Sequence, residues 1–444
     1  MPSRSGLGHA LCRVVRPYRR IRVRNTIVVK EEATHRETPN SVMARRQRKA
    51  WSAGSALLLL AVATLTACGQ RPMTGSAPPS SPAPAAGWYL AWRSETVFPQ
   101  LATTPQTCRF AARLSGGGSE LRAEFTSPDL PGPGYTILNA SIAEATGVAL
   151  NVRPATAAIL TFSGLPDVHV APGARVYSDP VAFPTTSSSL IAVTVTTSAG
   201  EASTSQNAVD MGACTPAPLA DEADIAPGSL FTVPHRLAWL RSVQVYGPPR
   251  RSIAAFGDSI TVSPQLPLHK YWSDVLLGHG VAIVNTGAGG SYLTTMGMYG
   301  TAIGLHRLQE LLAEPGLSDV VLLIGTNDLA VGVSPAQFLN ALAFALHDAQ
   351  ARQVRVWVCT ILPRGGSGWT PSAEPARLAV NAVLRSSWLS QRGARLIDTD
   401  VALRDPAQPD RLLADFDSGD HLHPSVDGAY ELGLTIELAL GLLL

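Results

Sequence analysis

The chain is poor in charge. Only 15% of its 444 residues are Asp, Glu, Lys or Arg, and the formal net charge is +2. That balance offers no electrostatic footprint for nucleic acid. Part of the positive charge also lies within the first 50 residues. Hydrophobic residues make up 45%, too many for a disordered chain, and the low charge with abundant Gly, Pro, Ser, Thr and Ala fits an exported globular protein. Metal-ligand spacing is missing, since the alternate histidines His421 and His423 have no third or fourth ligand at a telling distance in sequence. A G-x-G-x-x-G element is missing too. "GAGGSY" does not supply it and no P-loop lysine follows, which argues against a nucleotide cofactor. No cofactor, organic or metallic, is implied. There is no clear internal repeat and no apolar run long enough for an ordinary membrane span.

What the N-terminus does carry reads as an address. From Met43 the text is "MARRQRKAWSAGSALLLLAVATLTACGQ". Arg45, Arg46, Arg48 and Lys49 form a positive segment, and a short apolar segment centred on Leu57–Leu60 follows. The ending Leu65-Thr66-Ala67-Cys68 resembles a bacterial lipoprotein lipobox. The resemblance implies cleavage before Cys68 and lipid on its sulfur. The protein would then sit on the outer face of the cell membrane, or be secreted. Residues 1–42 resemble no domain and read as an upstream extension, with Met43 as the start. Residues 43–67 are then the signal peptide, and 68–86, rich in Pro, Ser and Ala, form a solvated tether.

Five cysteines remain to be allocated. Cys12 precedes Met43 and Cys68 would carry lipid. Cys359, inside "VRVWVCTIL", reads as a buried thiol. Cys108 and Cys214 lie near the two ends of the next domain and are candidates for a disulfide in an oxidising compartment.

Two rhythms divide the rest. Residues 87–245 read as all-β. In "ELRAEFTS", Leu121, Ala123 and Phe125 alternate with Arg122 and Glu124, and in "LIAVTVTT", Ile191, Val193 and Val195 alternate with Ala192, Thr194 and Thr196. A period of two marks half-buried strands. "SGGGS", "PGPG" and "APGAR" punctuate them as turns, which favours a sandwich or jelly roll. From residue 246 strand-like and helix-like runs alternate. Ile253–Phe256, Val281–Asn285, Val320–Ile324, Val354–Leu362 and Arg395–Ile397 are apolar enough for strands buried on both faces. Ser334-Pro335-Ala336-Gln337 has capping-box spacing before an amphipathic run, and the last seventeen residues read as a buried closing helix. Residues 246–444 are thus a doubly wound α/β domain, whose site belongs at the carboxyl ends of its strands.

Chemistry-bearing residues fall there. Ser259, in "AAFGDSITVS", follows the first strand. A hydroxyl needs a base to become a nucleophile. Asp420 and His423, in "DSGDHLHPSVDG", are spaced for a carboxylate to hold an imidazole. His421 is a rival base, and Asp417 or Asp415 a rival for the acid. The second strand runs into "NTGAGGS" and the third into "IGTNDLA", where glycine N–H groups and the Asn327 amide can face an oxyanion. Asp258 reads as a helix cap. The aromatics Tyr271, Trp272, Tyr292 and Trp369 read as core or rim packing before cleft lining.

These blocks, in this order, resemble those of the SGNH, or GDSL-type, hydrolases over residues 250–444. The resemblance implies Ser259, Asp420 and His423 as catalytic triad, and the N–H groups of Ser259 and Gly290 with the Asn327 side chain as oxyanion hole. Gly290 is chosen over Gly289 on the family spacing from Asn285. "SGGGSELRAEFTS", "ILTFSG", "VAPGARVYSDPV" and "LIDTDVALRDP" resemble an actinobacterial-type arrangement with a β-sandwich before the SGNH domain. The implied function is a serine esterase, of short acyl groups such as acetyl on carbohydrate. A small-molecule or glycan ester would be its partner, the membrane would be met only through the lipid on Cys68, and the protein would be a monomer. A lipase, lysophospholipase or acyltransferase is the alternative within the class. A non-catalytic cell-surface binding protein is the alternative outside it.

Overall fold

The computed structural model describes residues 86–442, apart from 130, 147–150, 206–211, 217–235, 249, 264–265, 267–269, 299–302 and 368. The proposed signal peptide, Cys68 and nearly all of the tether lie outside the described residues. Among the described residues, no helix is long and apolar enough to cross a membrane.

The β-rich region is built from antiparallel sheets. One sheet orders its strands Gly87–Arg93, Leu240–Gly247, Glu120–Thr126 and Arg175–Tyr177. A second runs Gly212–Pro216, Gln106–Arg113, Leu190–Thr197, Tyr135–Glu144, Ala158–Leu160. Alternate apolar residues of both, among them Leu121, Phe125, Ile142, Val193 and Val243, meet in a single core. The only helical segment among its described residues is the single turn Pro154–Thr156. Cys108 and Cys214 stand directly opposite each other on neighbouring strands and form a disulfide, with their Cα atoms 4.1 Å apart. The bond spans a sequence separation of 106 and so restricts the unfolded chain strongly, by about 4–5 kcal/mol in the chain-entropy account.

One expectation changes here. Alternation in "ELRAEFTS" and "LIAVTVTT" suggested a wet face, yet Glu124, Ala192, Thr194 and Thr196 are all buried. The three polar ones among them find partners within the protein. The Thr107 and Thr196 hydroxyls lie 3.0 Å apart, and Arg109 Nε donates to Thr194 Oγ1 at 2.8 Å. Glu124 accepts from Ser242 Oγ at 2.6 Å and pairs with Arg175. A polar residue can therefore keep the strand period while belonging to a buried layer.

The second region is a five-stranded parallel sheet. Its strands are β1 (Ser252–Gly257), β2 (Ala282–Gly287), β3 (Asp319–Leu323), β4 (Arg355–Cys359) and β5 (Arg395–Ile397), in spatial order β2-β1-β3-β4-β5. Among the described residues seven α-helices accompany it: α1 (Ser259–Val262), α2 (Gly304–Leu312), α3 (Thr326–Ala330), α4 (Pro335–Ala351), α5 (Ala373–Arg385), α6 (Thr399–Leu403) and α7 (Val426–Leu440). Ala254, Phe256, Val320, Leu322, Val356 and Val358 face α2, α4 and α5. Ile253, Ala255, Val321, Leu323, Trp357 and Cys359 face α6, α7 and the turn Trp272–Leu276. Burial on both faces explains why these strands are nearly unbroken apolar runs. Ser334 and Gln337 do cap α4 reciprocally, Gln337 N donating to Ser334 Oγ at 3.3 Å and Ser334 N to Gln337 Oε1 at 3.0 Å.

Strand Gly87–Arg93 joins the two regions. Tyr89 and Ala91 enter the β core, while Leu90, fully buried between them, enters the α/β core. Residues 82–444 form one compact unit. At the amino end of the sheet, Asp319 gathers Arg251, Arg355 and the Trp357 indole, so that end is committed to structure. The "LIDTDVALRDP" acids do similar work. Asp400 accepts from Arg377 at 2.6 Å and Arg385 at 2.5 Å, and Asp398 caps α6.

Candidate active site

The strand order reverses between β1 and β3, and a crevice at their carboxyl ends is the expected ligand position. Ser259 begins α1 immediately beyond β1. The turn is tight because residue 257 is glycine: a Cβ there would lie 2.4 Å from the Leu323 carbonyl oxygen and 2.2 Å from Thr261 Oγ1. Asp258 caps α1, its Oδ1 accepting from Ile260 N at 2.9 Å. Asn285, at the end of β2, holds the far end of that turn through Thr261 O at 2.7 Å.

The segment between α6 and α7 brings a histidine to this serine. His423 Nε2 lies 2.8 Å from Ser259 Oγ, and His423 Nδ1 lies 2.5 Å from Asp420 Oδ2. Asp420 Oδ1 accepts from the backbone N–H groups of Leu422 at 2.9 Å and His423 at 2.8 Å, and from Ser418 Oγ at 3.0 Å. Partial burial pushes the Asp420 carboxyl up, but the His423 ring and these backbone donors outweigh it and hold it well below the usual range. An ionised Asp420 fixes the imidazole with its hydrogen on Nδ1, leaving Nε2 as an acceptor for the serine proton. His421 makes a separate pair, its Nδ1 2.7 Å from Asp417 Oδ2. It has no hydrogen bond to Ser259 and packs instead against Gly366. Asp415 has a structural part here through its backbone carbonyl, which accepts from Ser425 Oγ at 2.7 Å.

The other two strand ends close the site. Gly290 takes a left-handed conformation, φ +66°, in the loop after β2. Asn327 lies in the first turn of α3, buried, and donates from Nδ2 to Ser291 O at 3.1 Å. That amide carries a second hydrogen that can serve an oxyanion. Asp328 ties the two loops together, accepting from Leu293 N, Thr294 N and Thr294 Oγ1 at 2.9, 3.0 and 2.7 Å. Burial raises the Asp258 carboxyl to about 7, with the nearby Asp328 pushing the same way and the Ile260 N–H opposing.

Tyr271 and Trp272 are core residues, and Tyr292 is buried as well. Trp369 is half-buried and stacks under Arg364, 4.8 Å from guanidinium to ring centre. Arg364 is a residue that sequence reading missed. It follows β4, reaches Thr326 Oγ1 at 3.4 Å, and its charge bears on both Asp258 and Asp420. A lone arginine before two glycines carries no motif that could have flagged it.

A doubly wound sheet with a serine, an imidazole and a carboxylate in one hydrogen-bonded row at its carboxyl edge has the form of a serine hydrolase. Residues 255–430 match the model of the GDSL-like Lipase/Acylhydrolase family. The α/β domain is similar to that family over this span, and the protein is an ester-hydrolysing enzyme of the SGNH type. Similar solved structures include TesA, at 24% identity and TM-score 0.35, covering 44% of this chain and 100% of that one. A lipolytic protein of the G-D-S-L family from Veillonella parvula is 18% identical, with TM-score 0.36 and coverage of 44% and 100%. Est24, a carbohydrate acetylesterase from Sinorhizobium meliloti, is 16% identical, with TM-score 0.36 and coverage of 44% and 100%. No curated protein matches the chain.

Proposed function

We propose that the protein cleaves carboxylic esters through an acyl-enzyme on Ser259. His423, oriented by Asp420, takes the hydroxyl proton as Ser259 Oγ attacks the ester carbonyl. The negative charge that develops on the carbonyl oxygen is met by the N–H groups of Ser259 and Gly290 and by the Asn327 amide. The tetrahedral adduct collapses, His423 gives its proton to the departing alcohol, and the acyl group stays on Ser259. Water, deprotonated by His423, then releases the acid and restores the serine. The observation that carries this reading is the 2.8 Å contact between His423 Nε2 and Ser259 Oγ, with Asp420 on the other ring nitrogen.

The substrates in this proposal are short acyl esters, such as acetyl groups on carbohydrate. No long apolar segment between residues 246 and 444 offers a lid for a long chain. The enzyme works outside the cell, held to the membrane by lipid on Cys68 with the Pro- and Ser-rich segment as its tether. Hydrolysis of p-nitrophenyl esters from acetate to long chains, beside Ser259→Ala, tests the chemistry. Activity should fall with chain length and disappear in the variant. A rise with chain length would turn the substrate towards lipids, and a variant as active as its parent would remove Ser259 from the mechanism. Metabolic labelling with a fatty acid, lost in Cys68→Ser, tests the anchor.

A further inference from the structure

The two regions meet through charges rather than through apolar side chains alone. Four arginines, Arg93, Arg175, Arg241 and Arg307, interleave with four glutamates, Glu95, Glu124, Glu310 and Glu314. Most of these pairs only fasten one region to the other: Arg93 Nη1 to Glu314 at 2.6 Å, Arg175 to the same carboxylate at 2.6 Å. One of them goes further.

Arg307, on α2, is buried. Its Nη1 donates to Ser291 Oγ and its Nη2 to the Thr286 carbonyl oxygen, both at 2.6 Å. Those two residues bound the loop that carries Gly290. The same guanidinium lies 4.8 Å from the centre of the Phe256 ring, on β1 just before the Gly257 turn. Ser291 is itself fully buried, and its carbonyl oxygen is the acceptor that orients Asn327. Arg307 therefore braces both the glycine loop and, through Ser291, the asparagine amide. Its carboxylate partner among the described residues is Glu95, with Arg307 Nε 3.4 Å from Glu95 Oε2. Glu95 belongs to the β-rich region, is buried, and takes Arg93 Nε on its other oxygen at 2.9 Å. A buried cation with one carboxylate partner loses its compensation when that partner goes, and its hydrogen-bonded neighbours shift with it.

We propose that Glu95 and Arg307 are positioning residues for the oxyanion side of the site, so that the β-rich region sets the placement of Gly290 and Asn327 as well as stabilising the fold. This rests on the serine-esterase reading given above. Neither residue touches substrate. Each acts through Ser291 and the loop it closes, and the loss expected is one of transition-state stabilisation rather than of substrate binding.

The test compares Glu95→Gln, Ser291→Ala and Arg175→Met in the chain from residue 69, on p-nitrophenyl acetate and on an alkyl trifluoromethyl ketone. The ketone adds to the serine and places an oxyanion where the ester's would be. Glu95→Gln should lower kcat about 10- to 100-fold with KM changed less than twofold, and weaken the ketone by the same factor. Ser291→Ala, which removes only the hydroxyl held by Arg307, should show the same split at about 3- to 10-fold and covers the case in which Glu95→Gln does not fold. Arg175→Met lies in the same interface without contact to Arg307, and should lower the melting temperature while leaving kcat and ketone affinity unchanged. Glu95→Gln or Ser291→Ala with parental kcat and ketone affinity, or Arg175→Met with the same kcat loss as Glu95→Gln, would overturn the proposal. A parent whose turnover survives Ser259→Ala would instead overturn the esterase reading, and the proposal with it.

Discussion

The segment Asp417–His423 contains two Asp–His pairs, and their comparison separates what a motif is from where it sits. Both are made the same way. Asp417 Oδ1 binds the backbone N–H groups of Gly419 and His421, and Oδ2 binds the His421 ring; Asp420 Oδ1 binds those of Leu422 and His423, and Oδ2 binds the His423 ring. Local chemistry separates them only by one further donor to Asp420, Ser418 Oγ at 3.0 Å. Position does the rest. The His423 side chain is 18% exposed and meets Ser259, whereas that of His421 is 47% exposed and lies beside Gly366. An imidazole held by a carboxylate is a general base only if its second nitrogen faces a proton worth taking.

That comparison can be broken most sharply at the histidines. Replacing His423 by alanine is expected to lower kcat/KM on p-nitrophenyl acetate by about ten-thousand-fold or more, and replacing His421 by alanine by less than about threefold. Comparable losses in both would mean that the pairs share the work. The acids come next. Asp420→Asn should cost about 10²–10⁴-fold in kcat, because an amide no longer enforces the tautomer, while Asp417→Asn should stay within a few-fold. A reversed order would make Asp417 and His421 the working pair.

Stability offers a third contrast, between Asp420, whose carboxyl is pulled down, and Asp258, whose carboxyl is pushed up to about 7 from 3.8. Asp420 contributes stability at pH values above its unfolded value, and that contribution is lost as pH falls towards its folded one. Asp258 does the reverse. From pH 4 to 7 the unfolded chain ionises it and the folded chain does not, so stability declines over that window and is flat above. The linkage amounts to at most about 4 kcal/mol. Asp258→Asn keeps a cap oxygen without the charge. Urea midpoints should therefore fall less between pH 4.5 and 8 for this variant than for the parent; equal declines would show that Asp258 does not titrate there. The smallest effect concerns the backbone. His421 sits at φ +61°, which Asn tolerates and Val does not. His421→Val should destabilise by about 1 kcal/mol and His421→Asn by a few tenths, measured in the same titration.

The doubly wound half was legible because its signals are local and repeat: five apolar runs, each ended by a glycine or polar turn, and a capping box at Ser334. The choice between His421 and His423 was not legible from the residues alone. It depends on left-handed turns at Gly419 and His421, which no periodicity announces. Glu124 failed for a different reason. Its place in an alternating strand is the same whether the facing layer is water or arginines, and only the tertiary fold, which brings Arg175 and Arg241 onto it, decides. Arg307 and Glu95 were invisible likewise, because a buried ion pair joins residues with no shared spacing.

Strand Gly87–Arg93 has a consequence for how the chain reaches this state. Its hydrogen-bonded neighbour is Leu240–Gly247, on the far side of the whole β-rich region, while Leu90 is packed among residues from β1 to α5. The strand comes early in the chain yet can settle only after much later segments have ordered. Contacts so distant in sequence slow folding, since the loop entropy is lost before the contacts return anything. Docking of this one strand completes both regions. Variants that weaken it should unfold faster without folding more slowly, so that the protein's lifetime, more than its rate of formation, is written in those seven residues.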